Sequence, residues 1–349
     1  MSNKTPTTEA LGTVQVEAFS LPVSNLISQD SRRVIQDHAA YGEQCGQEFN
    51  AACEQRNCSS SIDLSKVGAE ESARILKGQA ESFYETQKYQ DLRNIYDDVD
   101  ISESQIAGIN VEIFTPAEGI SPANTDRVLI NLHAGGFCYG FGTDTHEEAI
   151  PLAALGKIKV ICPDYALSPQ HSYPAANDDI VAVYRALLET YKPENIGILG
   201  CEAGAILSAQ TIPRLNQENL PLPGAIGLFS AGAATELKGD SLLINTAVTG
   251  YSPGPLSYFA EADLNDPLVT PLNCDATLST FPPTLLMTTV RDLGLSTVAY
   301  THQQLVRVGV EADLHVWEGP EGWHLYHAPL AECREAYQVM VDFFDNHLA

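Results

Sequence analysis

The hydrophobic pattern divides the chain into two regimes. From about residue 96, short apolar or β-branched runs recur at 109–114, 128–132, 158–162, 196–199, 225–229, 284–289 and 312–317. Most are apolar throughout rather than alternating, as expected of strands buried on both faces. Between them lie segments with helical spacing at 147–154, 178–190, 204–215, 296–308 and 328–347. Strand–helix alternation on this scale predicts an α/β fold with a largely parallel sheet covered on both faces. In such sheets reactive groups gather at the C-terminal ends of the strands.

Residues 1–95 read differently. The stretches starting at Ser31 and Ala69 have helical spacing and few strand formers, with a polar connection between them. They predict a helical cap, residues 1–95, on a core of residues 96–349. Residues 231–280, rich in Gly, Pro, Ser and Asn, read as an insertion that adds to the cap.

The chemistry centres on Asn195-Ile-Gly-Ile-Leu-Gly-Cys-Glu-Ala-Gly-Ala205. An apolar strand meets a tight Gly-x-x-x-Gly turn, and a small-residue helix follows. This is the outline of a nucleophile elbow, in which one side chain is thrust from the strand's end. Its apex is Glu202, where the usual pattern has serine. Cys201, one position earlier, should point back into the fold and pack there.

Three further segments fall in order around the elbow. His133-Ala-Gly-Gly-Phe137 follows an apolar strand, and its small residues let backbone N–H groups face a developing oxyanion. Gly135, Gly136 and Ala203, the residue after the apex, are the expected donors, with His133 in support. Asp292 stands at the end of the 284–289 run, and His324 precedes the last helix; a carboxylate can orient and charge-stabilise such an imidazole. His327 is the alternative histidine. The Pro-punctuated loop 164–179 is read as a brace.

Together these segments resemble the hormone-sensitive-lipase-like group of α/β-hydrolases, carboxylesterases with an N-terminal helical cap. The resemblance rests on His-Ala-Gly-Gly-Phe, Asp-Tyr-x-Leu-Ser-Pro-Gln-His, the elbow, Arg-Asp and Gly-Trp-His, across roughly residues 95–349. It implies an eight-stranded, mostly parallel sheet and hydrolysis of short-to-medium acyl esters, with no metal or organic cofactor. Dimerisation, common in the family, makes a homodimer an expectation. The departures are Glu202 for serine, Ala134 for the first glycine of the oxyanion loop, Ala166 where arginine is common, and a longer loop before His324.

Replacement of the serine removes the acyl-serine route. Three roles for Glu202 remain: nucleophile towards an epoxide-like carbon, general base on water or substrate, or a filler that leaves a ligand-binding pseudo-hydrolase. The reading is therefore a hydrolase-like enzyme with an altered Glu202–His324–Asp292 triad. It would act on a small hydrophobic ester, lactone or epoxide. A non-hydrolytic acid–base reaction, elimination or cyclisation, is the enzymatic alternative.

Composition narrows the partners. Hydrophobic residues make up 44% of 349, enough for a large core, and the formal charge of -26 argues against nucleic acid or an anionic membrane. No run is long and apolar enough to span a bilayer. The start lacks a basic segment followed by an apolar one, so no signal peptide and a cytoplasmic location are expected. The eight cysteines have no zinc spacing and read mostly as free thiols, with a Cys53–Cys58 bridge left open.

Overall fold

The computed structural model describes residues 24, 26–58, 66–249 and 256–349. Three helices come first: α1 (Gln29–Arg56), α2 (Ala69–Phe83) and α3 (Gln87–Ile95). The sheet then alternates with helices: β1 (Val99–Ile106), β2 (Ile109–Pro116), β3 (Val128–Leu132), α4 (Asp144–Gly156), β4 (Lys159–Pro163), α5 (Ala175–Leu187), β5 (Ile196–Cys201), α6 (Ala203–Gln217) and β6 (Ala225–Phe229). The chain continues through α7 (Asp240–Thr249), α8 (Asp275–Leu278), β7 (Thr284–Arg291), α9 (Leu295–Arg307), β8 (Ala312–Pro320) and α10 (Ala331–His347).

The eight strands lie in the order β1-β2-β4-β3-β5-β6-β7-β8. Pairing is antiparallel from β1 to β2 and from β2 to β4, and parallel from there on. Strands β3, β5 and β6 are buried at every position, which explains their unbroken apolar sequences. Successive residues face opposite layers. Ile130 and Ile198 join a cluster with residues of α5, α6 and α9, while Leu129 and Leu199 join one with residues of α4 and α10.

The leading helices are tied to this core by polar contacts. Ser28 caps α1 by accepting the Ser31 N–H at 3.0 Å. Glu332, at the start of α10, then accepts the Ser28 N–H at 2.7 Å and the Ser31 hydroxyl at 2.6 Å. On α3, Lys88 pairs with Glu147 of α4 at 2.7 Å. The His146 ring meets Glu112 of β2 at 3.0 Å and stacks on Tyr84, which follows α2.

Within 231–280, α7 rests on the start of α9: the Ser241 hydroxyl donates to the Leu293 carbonyl at 2.8 Å. Residues 250–255 lie outside the described part. Cys53 and Cys58 are buried free thiols, and the Cys58 thiol is directed at the Cys53 carbonyl, 3.5 Å away. Among the described residues no helix is long and apolar enough to cross a membrane.

Candidate active site

The elbow is built by sterics. Glu202 sits between β5 and α6 at φ 47° and ψ -107°, a strained conformation for a residue with a Cβ. A Cβ on Gly204 would lie 1.7 Å from the Leu132 carbonyl oxygen, and one on Gly200 2.5 Å from the same atom. Only glycine lets the turn lie this close to β3. The Glu202 N–H donates to the Phe229 carbonyl at 2.9 Å, and its own carbonyl accepts the Ile206 N–H at 3.1 Å to start α6. Cys201 is buried, and burial holds its thiol well above its ordinary pKa, so it is a packing group.

The Glu202 side chain is partly open to solvent. The Gly135 N–H lies near its carboxylate and favours the charged form, so Glu202 stands where a substrate oxyanion would be received. Burial and then the charge of Asp292 raise its pKa above the carboxylate range, with the Gly135 hydrogen bond opposing them.

The loop after β3 holds its shape through left-handed residues: Gly135 at φ 111°, Gly136 at 58° and Phe137 at 64°. A Cβ on Gly135 would meet the Tyr139 carbonyl oxygen at 2.2 Å. His133 is buried and stacks on Tyr165 at 4.2 Å; its Nδ1–H donates to the Ala134 carbonyl at 2.6 Å. Burial lowers its pKa to about 4, so it is a neutral brace. The Ala134 N–H turns away from Glu202 towards Glu148 Oε1 at 3.1 Å. The 164–179 loop supports this one, with the Ser168 N–H donating to the Phe137 carbonyl at 2.7 Å. Ala203 opens α6, whose first N–H groups have no acceptor within the helix.

Glu148 was passed over in the sequence. Its carboxyl accepts from the Asn131 amide at 2.8 Å and the Tyr326 hydroxyl at 2.7 Å, besides Ala134. One buried side chain on α4 thus joins the oxyanion loop to the loop after β8.

Asp292 is buried at the end of β7. Its Oδ1 accepts the Gly294 N–H at 2.7 Å, while Oδ2 has no partner of hydrogen-bond geometry among the described residues. Burial raises its pKa, against the nearby Gly294 N–H and the Ser230 and Thr288 hydroxyls. The expected hydrogen-bond chain from Asp292 through His324 to Glu202 is not formed. His324 is fully buried, its ring lies on Trp317 at 5.7 Å, and neither ring nitrogen has a hydrogen-bond partner among the described residues. Desolvation lowers its pKa to about 3. His327 packs on Trp323 at 4.5 Å.

Two other carboxyls feel the charge of Glu202. Asp144, at the start of α4, has its pKa raised to about 7 by burial and the charges of Glu147 and Glu202. Glu321, in the turn after β8, is pushed to about 8 by burial and the charges of Asp292 and Glu202. Among the described residues no group of His, Cys, Asp and Glu is arranged to hold a metal ion.

Two cavities flank the site. A pocket of about 290 Å³ is lined by Phe49, Leu76, Phe83, Phe141 and Asp144 between the leading helices and the oxyanion loop. A groove of about 1040 Å³ runs between α2, the β1–β2 hairpin and Tyr165. The groove is larger, but the pocket carries Asp144, which feels the charge of Glu202, and is the closer fit for a substrate's apolar part.

Residues 129–328 match a family described as alpha/beta hydrolase fold. An acetyl-hydrolase of Streptomyces hygroscopicus is 29% identical over 234 residues, 64% of this chain and 77% of that protein. An esterase of Acinetobacter venetianus is 28% identical over 255 residues, 70% of this chain and 82% of its own. The crystal structure of an esterase, E25, superposes with a TM-score of 0.76 at 29% identity, covering 96% of this chain and 99% of that one.

Proposed function

Because the chain belongs to the alpha/beta hydrolase fold family, we propose that it is a carboxylesterase-type enzyme that hydrolyses small hydrophobic esters or lactones, with Glu202 as general base on water. The esterases and acetyl-hydrolase among its relatives support the class of substrate. The observation that carries the mechanism is the Glu202 carboxyl at the elbow's apex, partly open to solvent, beside the Gly135 N–H, with a raised pKa.

The substrate's carbonyl oxygen displaces the Glu202 oxygen from Gly135 and takes up the N–H groups of Gly135, Gly136 and Ala203. Glu202, freed, accepts a proton from a water as that water's oxygen bonds to the carbonyl carbon. A pKa drawn towards working pH suits this step. The charge of Asp292 makes Glu202 the more basic. Direct attack by the Glu202 carboxylate on an ester would instead form an anhydride, a costlier intermediate. His324, stacked on Trp317 and uncharged, has no proton-transfer step in this geometry.

Hydrolysis of p-nitrophenyl butyrate in ¹⁸O-water tests this reading. The label is expected in the butyrate and not in the Glu202 peptide, and Glu202→Gln is expected to lose roughly 10²–10⁴-fold in turnover while keeping its fold. Label in that peptide would make Glu202 a nucleophile. Undiminished turnover by Glu202→Gln would remove its catalytic role.

A further inference from the structure

A carboxylate left without a counter-ion on an aromatic wall is a place for a cation. We propose that the pocket beside the oxyanion loop receives an ammonium group carried by the substrate, with Asp144 as its counter-ion. This rests on the esterase reading and narrows it to cationic esters.

Helix α4 makes the placement. Asp144 and Glu148 are spaced i and i+4, so they share one face of the helix, about 6 Å apart along its axis. Glu148 Oε1 accepts the Ala134 N–H at 3.1 Å, which sets that face against the oxyanion loop. The loop then turns back on itself: the Gly135 carbonyl accepts the Cys138 N–H at 3.0 Å and the Tyr139 N–H at 3.3 Å. Tyr139, Gly140 and Phe141 leave that turn to line the pocket of about 290 Å³, and Asp144 lines it too. The pocket therefore begins one tight turn from Gly135, whose N–H lies near the Glu202 carboxylate.

Composition and charge of the wall point the same way. Four of its residues are aromatic: Phe49 of α1, Phe83 of α2, and Tyr139 and Phe141 of the loop. Ring faces attract a cation through their quadrupole, most strongly where water is excluded. Lys88 is the one cation on the wall among the described residues, and Glu147 pairs with it at 2.7 Å. Asp144 is left over. Among the described residues its carboxylate makes no salt bridge, and its hydrogen-bond partner is the neighbouring Thr143 hydroxyl, at 3.4 Å. Burial of a lone carboxylate disfavours its charge, and an entering cation restores it. The pKa of about 7 reflects that cost: burial first, then the charges of Glu147 and Glu202, against Lys88.

A methylated ammonium suits this wall better than a primary one. Its methyl groups pack on the rings, and it needs one counter-charge rather than acceptors for three N–H donors. The formal charge of -26 on the chain draws such a cation towards the protein at low ionic strength. The ammonium nitrogen takes no part in bond making, so the reaction stays ester plus water to acid plus alcohol.

The test uses an isosteric pair on each side of the ester, assayed at about pH 8, above the Asp144 pKa of about 7. Butyrylcholine is compared with 3,3-dimethylbutyl butyrate, in which carbon replaces the nitrogen. p-Nitrophenyl 4-(trimethylammonio)butyrate is compared with p-nitrophenyl 5,5-dimethylhexanoate in the same way. Each ratio of kcat/KM is divided by the ratio of the hydroxide-catalysed rates, which removes intrinsic reactivity. Wild type is expected to favour the cationic member of at least one pair by roughly tenfold or more, and Asp144→Asn to bring that ratio to roughly one. The ratio is taken within one preparation, so partial misfolding of the variant does not shift it. No preference for the cation in either pair, or a preference that Asp144→Asn keeps, would overturn the proposal. Failure of the Glu202 mechanism is separate: Glu202→Gln would then turn over the esters undiminished with the preference intact. Hydrolysis of none of the four esters by wild type would remove both proposals.

Discussion

His324 and Trp317 lie face to face, 5.7 Å between ring centroids and 9° between planes. The stack buries the imidazole among groups that offer its nitrogens nothing, so the charged form is disfavoured and the pKa falls to about 3. The consequence for the site is that the histidine resembling a catalytic one is a neutral core residue in this geometry.

Trp317→Leu is the corresponding test. By NMR titration of the imidazole protons, wild-type His324 is expected to stay neutral to about pH 3, and the variant to titrate closer to the ordinary value of 6.5. Between those values the unfolded chain binds a proton that the folded one refuses, so His324 costs the wild type stability as pH falls through that window. Ordinary titration of His324 in the wild type would refute the stacked, dry environment.

The two glycines of the site should respond unlike each other. Gly204→Ala places a methyl group against the Leu132 carbonyl and is expected to cost about 3 kcal/mol or more, or to prevent folding. At Gly136 nothing lies within 4 Å of a Cβ, so alanine there meets only the strain of φ 58°, about 1–2 kcal/mol. Thermal unfolding distinguishes them. Equal small losses would mean that the elbow is not pressed against β3.

Asp144 sets a pH dependence of stability. Its folded pKa of about 7 stands above the ordinary 3.8, so between these values the folded state holds a proton that the unfolded chain releases. Its contribution is largest near the lower value and is lost as pH rises through about 7. Allowing for its partial exposure, this amounts to about 1–2 kcal/mol. Asp144→Asn should narrow the difference in Tm between pH 5.5 and pH 8 by about 2–4 °C. An unchanged difference would place the titration elsewhere.

The sequence made the centre of the sheet legible because β3, β5 and β6 are sealed on both faces, leaving apolar runs with no competing reading. It hid β1, Val-Asp-Ile-Ser-Glu-Ser-Gln-Ile, because an edge strand of a hairpin buries one residue and shows the rest to solvent or partial contact. Helix α3 was hidden likewise, mostly polar and burying Leu92 alone. The elbow was readable because its glycines answer to a local clash. Glu148 and Asp144 were not, since a carboxylate on a helix reads as a solvated surface until the tertiary fold surrounds it. The order of Glu202, Asp292 and His324 could be read along the chain, but the direction of the imidazole could not.

The contact between Ser31 and Glu332 joins residues 301 positions apart. On the ribosome, α1 is made before α10, so the leading helix has no Glu332 to receive it until all eight strands of the sheet have been made. The start of α1, whose Phe49 walls the apolar pocket, is thus among the earliest parts synthesised and the last to be fastened. Until Glu332 is made, Lys88 and Tyr84 already hold α3 and the end of α2 against α4, while the start of α1 waits unlatched.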